Sequence, residues 1–345
     1  MTGTVSVRPV GRLPSGETIS AVELSNDCMT VTLLDLGATL WTLLPSGHPS
    51  PAGVTLAHRD PAAYAVNRPY LGCTVGPVAN RIGGSSFSID GHRHDLVSNE
   101  GKHHLHGGPT GFGQRLWAFE TDPVETAVHF RLHRLDGEGG YPGNLDVEVV
   151  WTLQANRLRF AWSASTDRAT PVSLANHTSW NLAGTGTIED HHLRVDADGV
   201  VDVDEQLIPT GVLKPTQSSR FDLADGPRIG DAVQRIGLGG IDHCYALSPG
   251  AQVDLRDPRT GQHLTVETSL PGVQVYTGHQ LDGSVAHGGF GPLAGVCLET
   301  QFFPDAINNA QFPSPVVDPH ATVVHWTEYT VLGVGPVDQP AHRRR

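Results

Sequence analysis

The stretch GKHHLHGG, at residues 101–108, places three histidines within four positions and follows them with two glycines. On a β-strand, His104 and His106 would point to one face and His103 to the other. Two imidazoles on one face can form half of a metal site, since neutral histidine is the commonest metal ligand in proteins. The chain contains 19 histidines, however, so some will cluster by chance. The stretch alone leaves open a metal site, a catalytic site and a histidine-rich loop.

A single carboxylate interrupts an apolar stretch in AGVCLETQFF, at residues 294–303. Strand alternation places Cys297 and Glu299 on one face and Leu298 on the other. The strand carries no other charge, whereas exposed strand faces of this chain usually carry several. We therefore expect Glu299 to lie in a cleft, where burial raises the pKa of a carboxylate and suits it to act as a general base.

Three further stretches concentrate polar residues that strands and turns do not require. GPVANRIGG places Asn80 and Arg81 before a glycine turn, although an arginine there is also compatible with an ordinary surface position. SLANHTSWNLAG contains His177. In GGIDHCYAL, Asp242 follows a Gly-Gly turn, where an aspartate can instead cap its own backbone. These residues are candidates for a catalytic or binding site. Whether their side chains can lie close together depends on the strands and turns that carry them.

The elements that must position these residues are strands. Period-2 alternation dominates wherever a pattern is visible, and 40 glycines and 25 prolines supply the turns. Asp90-Gly91 between two alternating segments predicts a tight hairpin, and a second hairpin is predicted to turn at Ala155-Asn156. Other strands are predicted at 127–135, 193–203, 263–269, 272–278, 294–301 and 321–334, and short helical turns at 60–67 and 231–236.

These patterns predict an all-β fold, a large antiparallel β-sandwich. Strands about every 8–12 residues with turn residues between them are typical of sandwiches and barrels. The sequence contains no internal repeat and no linker with a composition break. We therefore expect one domain over residues 1–345, with a disordered tail at 340–345, and two stacked β domains are the alternative.

Composition argues against several classes of partner. The formal net charge of −13 opposes binding to nucleic acid or to an anionic membrane. The four cysteines form no C-x-x-C pair, so free thiols in a reducing cytoplasm are expected for Cys28, Cys73, Cys244 and Cys297. No signal-peptide pattern and no apolar segment of membrane-spanning length is present. The expectation is a cytoplasmic protein, either a monomer or a homodimer.

Eight short motifs occur between about residue 70 and residue 315: ANRI, LHGG, NHTSWNLAG, DGEGGYPG, IPTG, IDH, VQVYTGHQLDG, and CLETQ followed by PDAINNAQFP. Each motif alone is weak, but in this order and spacing they resemble the aldose 1-epimerase (galactose mutarotase) family. The resemblance implies a galactose mutarotase-like supersandwich and a monosaccharide substrate. It implies no cofactor and no metal.

The resemblance also gives roles to the matched residues. Glu299 of CLETQ would be the general base on the anomeric hydroxyl, and His177 of NHTSWNL the general acid at the ring oxygen. His106 of LHGG would assist at the ring oxygen or hold the substrate. The residues that would bind sugar hydroxyls are Arg81, Asp242 and Gln274, with Asn80 close by. On this assignment His104 is structural and His103 lies at the rim of the pocket.

Three departures from the family pattern concern the pocket wall or its rim. His103 stands where an asparagine is common, Trp180 where YFNL is more usual, and Ile241 where a phenylalanine often precedes the aspartate. They affect the expected sugar preference and leave the expected reaction unchanged.

The implied reaction interconverts the α and β anomers of a free aldohexose such as D-galactose or D-glucose. Ring opening takes a proton from the anomeric hydroxyl and gives one to the ring oxygen, and ring closure reverses both transfers. A carboxylate and an imidazolium across the sugar meet both demands, because each is left ready for the opposite role. The uncatalysed barrier is roughly 21–22 kcal/mol, and an ordinary turnover needs about 7 kcal/mol less. One acid and one base, each contributing about 10²–10⁴-fold, supply that without a cofactor.

Two other enzyme classes remain open at this point. Asp242 and Glu299 could form the carboxylate pair of a glycoside hydrolase, which would leave the candidate histidines unexplained. A metal-dependent β-barrel enzyme could use His104, His106 and His177 as ligands.

Two alternatives keep the same fold. One is a non-catalytic protein that binds or senses a sugar. The other is a hexose-6-phosphate 1-epimerase, which should bring several basic residues to the phosphate. The candidate loops offer chiefly Arg81, and the acidic balance of the chain does not favour a phosphorylated substrate.

Overall fold

Strands dominate the computed structural model, which describes residues 3–333. The tail expected at 340–345 lies outside the described residues. Within them, the one α-helix is Ile229–Ile236. Short 3₁₀ helices lie at Pro61–Ala65, Gly83–Ser85, Gly108–Thr110, Phe112–Gln114, Glu138–Gly140, Val285–His287 and Ala306–Asn308.

The largest sheet has eight antiparallel strands. In spatial order they are Ala118–Asp122, Ala127–Arg134, Leu145–Gln154, Arg157–Thr166, Thr322–Leu332, His263–Thr268, Val253–Arg256 and His192–Val195. Alternation explains the strand Leu145–Gln154, because Val147, Val149 and Trp151 are buried while the residues between them are half-buried. The sheet therefore presents one apolar face to the core.

A six-stranded antiparallel sheet carries most of the polar candidates. In spatial order its strands are Ser179–Trp180, Val296–Gln301, Gly272–Tyr276, Asp242–Leu247, Ala197–Val203 and Pro209–Pro215. Every residue of Val296–Gln301 is buried, as expected for a central strand that is covered on both faces.

The remaining strands form one four-stranded sheet and several two-stranded pairs. The four-stranded sheet consists of Thr4–Arg12, Thr18–Ser25, Met29–Leu34 and Thr39–Pro45. The pairs are Thr170–Pro171 with Val316–Val317, Ala175–Asn176 with Thr74–Val75, Arg81–Ile82 with His104–Leu105, and Ser86–Ile89 with His92–Asp95.

Residues from all three large sheets share one hydrophobic core. Val31 of the four-stranded sheet, Trp151 of the eight-stranded sheet and Leu298 of the six-stranded sheet belong to the same buried cluster. The all-β sandwich that the sequence predicts is confirmed. No helix among residues 3–333 is both long and apolar enough to pass through a bilayer.

Most predicted elements lie where the alternation places them. The Asp90-Gly91 turn has φ values of 50° and 76°, as a two-residue hairpin of the primed type requires. The predicted segment 193–203 was wrong as a single strand. It is two strands, His192–Val195 and Ala197–Val203, which pair in different sheets. Alternation continues across the break, so the pattern alone does not reveal the change of sheet.

Candidate active site

Strand register brings three of the polar candidates onto one face of the six-stranded sheet. Gln274 lies opposite Glu299 on the neighbouring strand, and Tyr276 lies between Asp242 and Cys297. Residues directly opposite each other share a face, and so do residues two apart on one strand. Asp242, Gln274 and Glu299 therefore project together, and the intervening valines and leucine enter the core.

The loop after the strand Ala175–Asn176 places His177 above this face. Its backbone N–H donates to the Cys73 carbonyl at 2.9 Å. Its Nε2 lies 3.5 Å from Glu299 Oε1, and its Nδ1 lies 3.5 Å from Cys297 Sγ. The imidazole and the carboxylate thus form a contacting pair, and the exposed fraction of the Glu299 side chain is only 2%.

His106 lies beside His177, with the ring centroids 5.3 Å apart at a steep angle. Its backbone N–H donates to the Asn80 carbonyl, and the Asn80 N–H donates to His106 Nδ1, both at 3.1 Å. Nδ1 must therefore keep its lone pair, so the neutral ring carries its proton on Nε2. Burial, and then the neighbouring His177 and Arg81, hold the pKa of His106 well below its ordinary value. His106 is arranged as a neutral hydrogen-bond donor.

The segment that carries Asn80 and Arg81 is held from outside the cavity by Asp305. The Asp305 N–H donates to the Arg81 carbonyl at 2.9 Å, and the Gly83 N–H donates to Asp305 Oδ1 at 3.0 Å. The PDAINN motif therefore has a structural role, since it fixes the loop that presents Arg81.

One cavity of about 200 Å³ contains all seven predicted site residues. They are Asn80, Arg81, His106, His177, Asp242, Gln274 and Glu299. Sequence reasoning missed six further polar or aromatic residues of the lining: Arg68, Tyr70, Glu100, Tyr276, Gln280 and His287. Only Tyr276 had a usable signal, because it lies two residues after Gln274 and so shares its face. The others come from loops whose approach no local pattern predicts.

Burial pushes both members of the Glu299–His177 pair toward their neutral forms. Desolvation, followed by the negative charge of Asp242, raises the pKa of Glu299 well above its ordinary value. Desolvation likewise lowers the pKa of His177 to about 4. The raised pKa of Glu299 agrees with the sequence-based expectation. The lowered pKa of His177 means that an imidazolium there needs a nearby negative charge, as the expected carboxylate–imidazolium pair would provide.

Two buried acceptor atoms in the cavity have no hydrogen-bond partner among the described residues. They are Glu299 Oε2 and Gln274 Oε1. The Gln274 amide is oriented by its Nε2, which donates to Asp242 Oδ1 at 2.6 Å. Buried polar atoms are normally paired, so these oxygens call for donors from a ligand or from water. With His106 Nε2 and Arg81 as donors, the cavity suits a molecule rich in hydroxyl groups.

A metal site is compatible with the spacing of three of these residues but not with their hydrogen bonds. Ligand atoms of His106, His177 and Glu299 lie within 4.8 Å of one another. Because His106 Nδ1 accepts the Asn80 N–H, metal binding at Nε2 would require the ring to change tautomer and that N–H to lose its acceptor. The donor set therefore fits a hydrogen-bonded organic ligand better than a cation.

The other two histidines of GKHHLHGG lie outside the cavity. His104 Nδ1 contacts the Val97 carbonyl at 2.7 Å, and its Nε2 contacts the Tyr141 hydroxyl at 2.9 Å. His103 is buried, and its Nδ1 accepts the Gly84 N–H at 3.0 Å. The expected alternation fails because the strand ends at Leu105 and His106 has a φ of 52°.

Comparison with known proteins identifies the family of this chain. The family model of aldose 1-epimerase matches residues 20–330. The chain belongs to the aldose 1-epimerase family. Membership identifies it as an isomerase of the aldose 1-epimerase type.

Several relatives match nearly the whole chain. A galactose mutarotase from Mus musculus is 37% identical, over 93% of this chain and 97% of its own. An aldose 1-epimerase from Haemophilus influenzae is 32% identical, over 92% and 96%. Among solved structures, a galactose 1-epimerase from Lactobacillus acidophilus is 27% identical, with a TM-score of 0.85 over 96% of this chain and 99% of its own. The fold class is therefore that of the galactose mutarotases.

Proposed function

We propose that this protein interconverts the α and β anomers of a free aldohexose such as D-galactose or D-glucose. The observation that carries the proposal is the buried Glu299–His177 pair, which faces a cavity with unpartnered acceptors. The relatives named galactose mutarotase and aldose 1-epimerase support the same reaction.

The catalytic step requires one proton on the Glu299–His177 pair and does not depend on which partner holds it in the free enzyme. Burial raises the pKa of Glu299 and lowers that of His177, which favours a proton on Glu299 over a proton on His177. Transfer across the 3.5 Å contact gives a carboxylate and an imidazolium with the same total charge. A sugar hydroxyl that donates to Glu299 Oε2 stabilises the carboxylate, because hydrogen bonds to the charged form favour it.

Ring opening then follows from this ionised pair. Glu299 takes the proton of the anomeric hydroxyl while His177 gives its proton to the ring oxygen. The aldehyde rotates, and the two groups act in reverse to close the ring on the other face. Each half-reaction leaves one acid and one base, so the pair needs no proton from solvent to complete the cycle.

The remaining site residues hold the sugar. His106 donates from Nε2 at or near the ring oxygen, and its low pKa suits a donor that stays neutral. Arg81 donates to hydroxyl groups, whereas Asp242 and Gln274 accept from them. Asn80 acts through its backbone N–H, which fixes the His106 tautomer.

The structure adds reasons to set the alternatives aside. A glycoside hydrolase built on Asp242 and Glu299 would give the paired histidine no role, and Asp242 is engaged by Gln274. A hexose-6-phosphate epimerase would need several cations at the phosphate. Of the two arginines that line the cavity, Arg68 and Arg81, the second already contacts a carboxylate. A binding or sensing role would not require an acid and a base in contact.

Several organisational features remain proposals. We infer a single domain, because the three large sheets share one core. A cytoplasmic location, a monomeric or homodimeric state, and the absence of nucleic-acid and membrane partners stay predictions from composition.

Polarimetry on freshly dissolved α-D-galactose tests the proposed reaction. The protein should accelerate the approach to the equilibrium rotation over a blank, and α-D-glucose should be tested in parallel. Prolonged chelation should leave the rate unchanged. A rate equal to the blank with both sugars would refute the proposal. Activity only on a hexose 6-phosphate would show that the substrate is a phosphorylated sugar.

A further inference from the structure

Glu100 meets the Arg81 guanidinium with both of its carboxylate oxygens. Arg81 Nε donates to Oε2 and Arg81 Nη2 donates to Oε1, each at 2.7 Å. Arg81 is nearly buried, with 10% of its side chain exposed, whereas 37% of the Glu100 side chain is exposed. Two parallel charge-assisted bonds fix the plane of a guanidinium as well as its position.

The Glu100 backbone is itself anchored. Its N–H donates to the His103 carbonyl at 3.1 Å, and the His103 N–H donates back to the Glu100 carbonyl at 2.9 Å. His103 is in turn fixed by the Gly84 N–H, which lies on the Arg81 segment. Carboxylate and guanidinium are thus held by one small hydrogen-bonded unit at the mouth of the cavity.

This contact decides which guanidinium atoms a ligand can reach. Nε and one hydrogen of Nη2 are occupied by Glu100, so Nη1 and the second hydrogen of Nη2 are left to donate. These donors include the paired end-on edge of Nη1 and Nη2, and they can bind sugar hydroxyls. A phosphate group would lose the side-on edge that Glu100 occupies, and on the end-on edge it would still lie near the negative charge of the carboxylate.

We propose that Glu100 positions Arg81 for a neutral sugar and excludes phosphate from its guanidinium. The inference rests on the proposed function, because it assigns Arg81 to substrate binding. Glu100 is a positioning residue, and it determines specificity between free and phosphorylated sugars.

Kinetic comparison of Glu100→Gln with wild type tests the proposal. The matched control is Glu148→Gln on the eight-stranded sheet, since Glu148 accepts from Arg131 Nε at 2.9 Å and is similarly exposed, at 33%. We expect Glu100→Gln to raise KM for α-D-galactose about tenfold, the size of one lost charge-assisted hydrogen bond. The kcat should stay within about twofold, and the control should match wild type.

Inorganic phosphate supplies the second readout. It should inhibit Glu100→Gln competitively at millimolar concentration and leave wild type unaffected. Glu100→Asp, which keeps the charge but shortens the reach, should raise KM and still exclude phosphate. An unchanged KM, a fall in kcat without a change in KM, or equal phosphate inhibition of wild type and Glu100→Gln would each overturn the proposal.

Calorimetric binding of D-galactose separates this proposal from the proposed function. If wild type binds galactose but does not accelerate mutarotation, the proposed reaction fails. The tenfold loss of affinity in Glu100→Gln would still be expected. If both proteins bind equally, the positioning role fails whatever the activity.

Discussion

Replacing Glu299 by glutamine should change how the stability of the fold depends on pH. Burial raises the pKa of Glu299 in the folded state above its ordinary value of 4.5. Above that pH the folded protein holds a proton that the unfolded chain has released. The free energy of unfolding then falls as the pH rises, by up to about 1.4 kcal/mol per pH unit.

His177 contributes with the opposite sign. Its pKa is lowered from 6.5 to about 4 on folding, so between these values the unfolded chain holds a proton that the folded protein lacks. This contribution raises stability with pH up to 6.5 and is constant above it. Between pH 4.5 and 6.5 the loss of stability due to Glu299 and the gain due to His177 nearly cancel in wild type. Above pH 6.5 only the loss due to Glu299 remains. In Glu299→Gln only the gain due to His177 remains.

Relative to wild type, the free energy of unfolding of Glu299→Gln should therefore increase as the pH rises from 5 to 8. Urea denaturation of both proteins across that range measures the difference directly. Glu148→Gln serves as the control, because it makes the same substitution at a partly exposed carboxylate on the eight-stranded sheet. A constant difference for Glu299→Gln as well would refute the raised pKa of the buried Glu299 carboxylate.

Other substitutions distinguish residues that take part in catalysis from residues that stabilise the structure around the site. His177→Asn should lower turnover at least ~10²-fold, measured by polarimetry, because the ring oxygen loses its acid. Wild-type turnover should persist down to about pH 4, where the pair takes up a second proton, and a pH–rate profile that falls near 6.5 would contradict this. Tyr141→Phe leaves His104 Nε2 without its partner, so urea denaturation should show a loss of about 1–3 kcal/mol with turnover within twofold. His103→Asn should change turnover only a few-fold, since an asparagine side-chain oxygen can also accept the Gly84 N–H.

The sequence was most informative where local chemistry decides the structure. Asp90-Gly91 sets its hairpin, because both residues adopt positive φ. Alternation in VCLETQ placed Cys297 and Glu299 on one face, and both lie beside His177.

Local patterns were least informative where long-range packing decides. His106 leaves the predicted strand pattern because a positive φ turns it away from His104, and no spacing rule anticipates that turn. Glu100 immediately precedes the histidine-rich stretch but carries no signal of its own, since its partner Arg81 is 19 positions away. Likewise, the approach of His177 to Glu299 depends on loops and strands far apart in the chain.

The mutarotation rate of Glu299→Gln, compared with wild type and a no-protein blank on fresh α-D-galactose, tests the central claim most directly. Glutamine keeps the shape of the side chain but cannot take the proton of the anomeric hydroxyl. We predict that wild type beats the blank and that Glu299→Gln falls at least ~10²-fold below wild type. An active wild type with an equally active Glu299→Gln would show that the buried carboxylate is not the base.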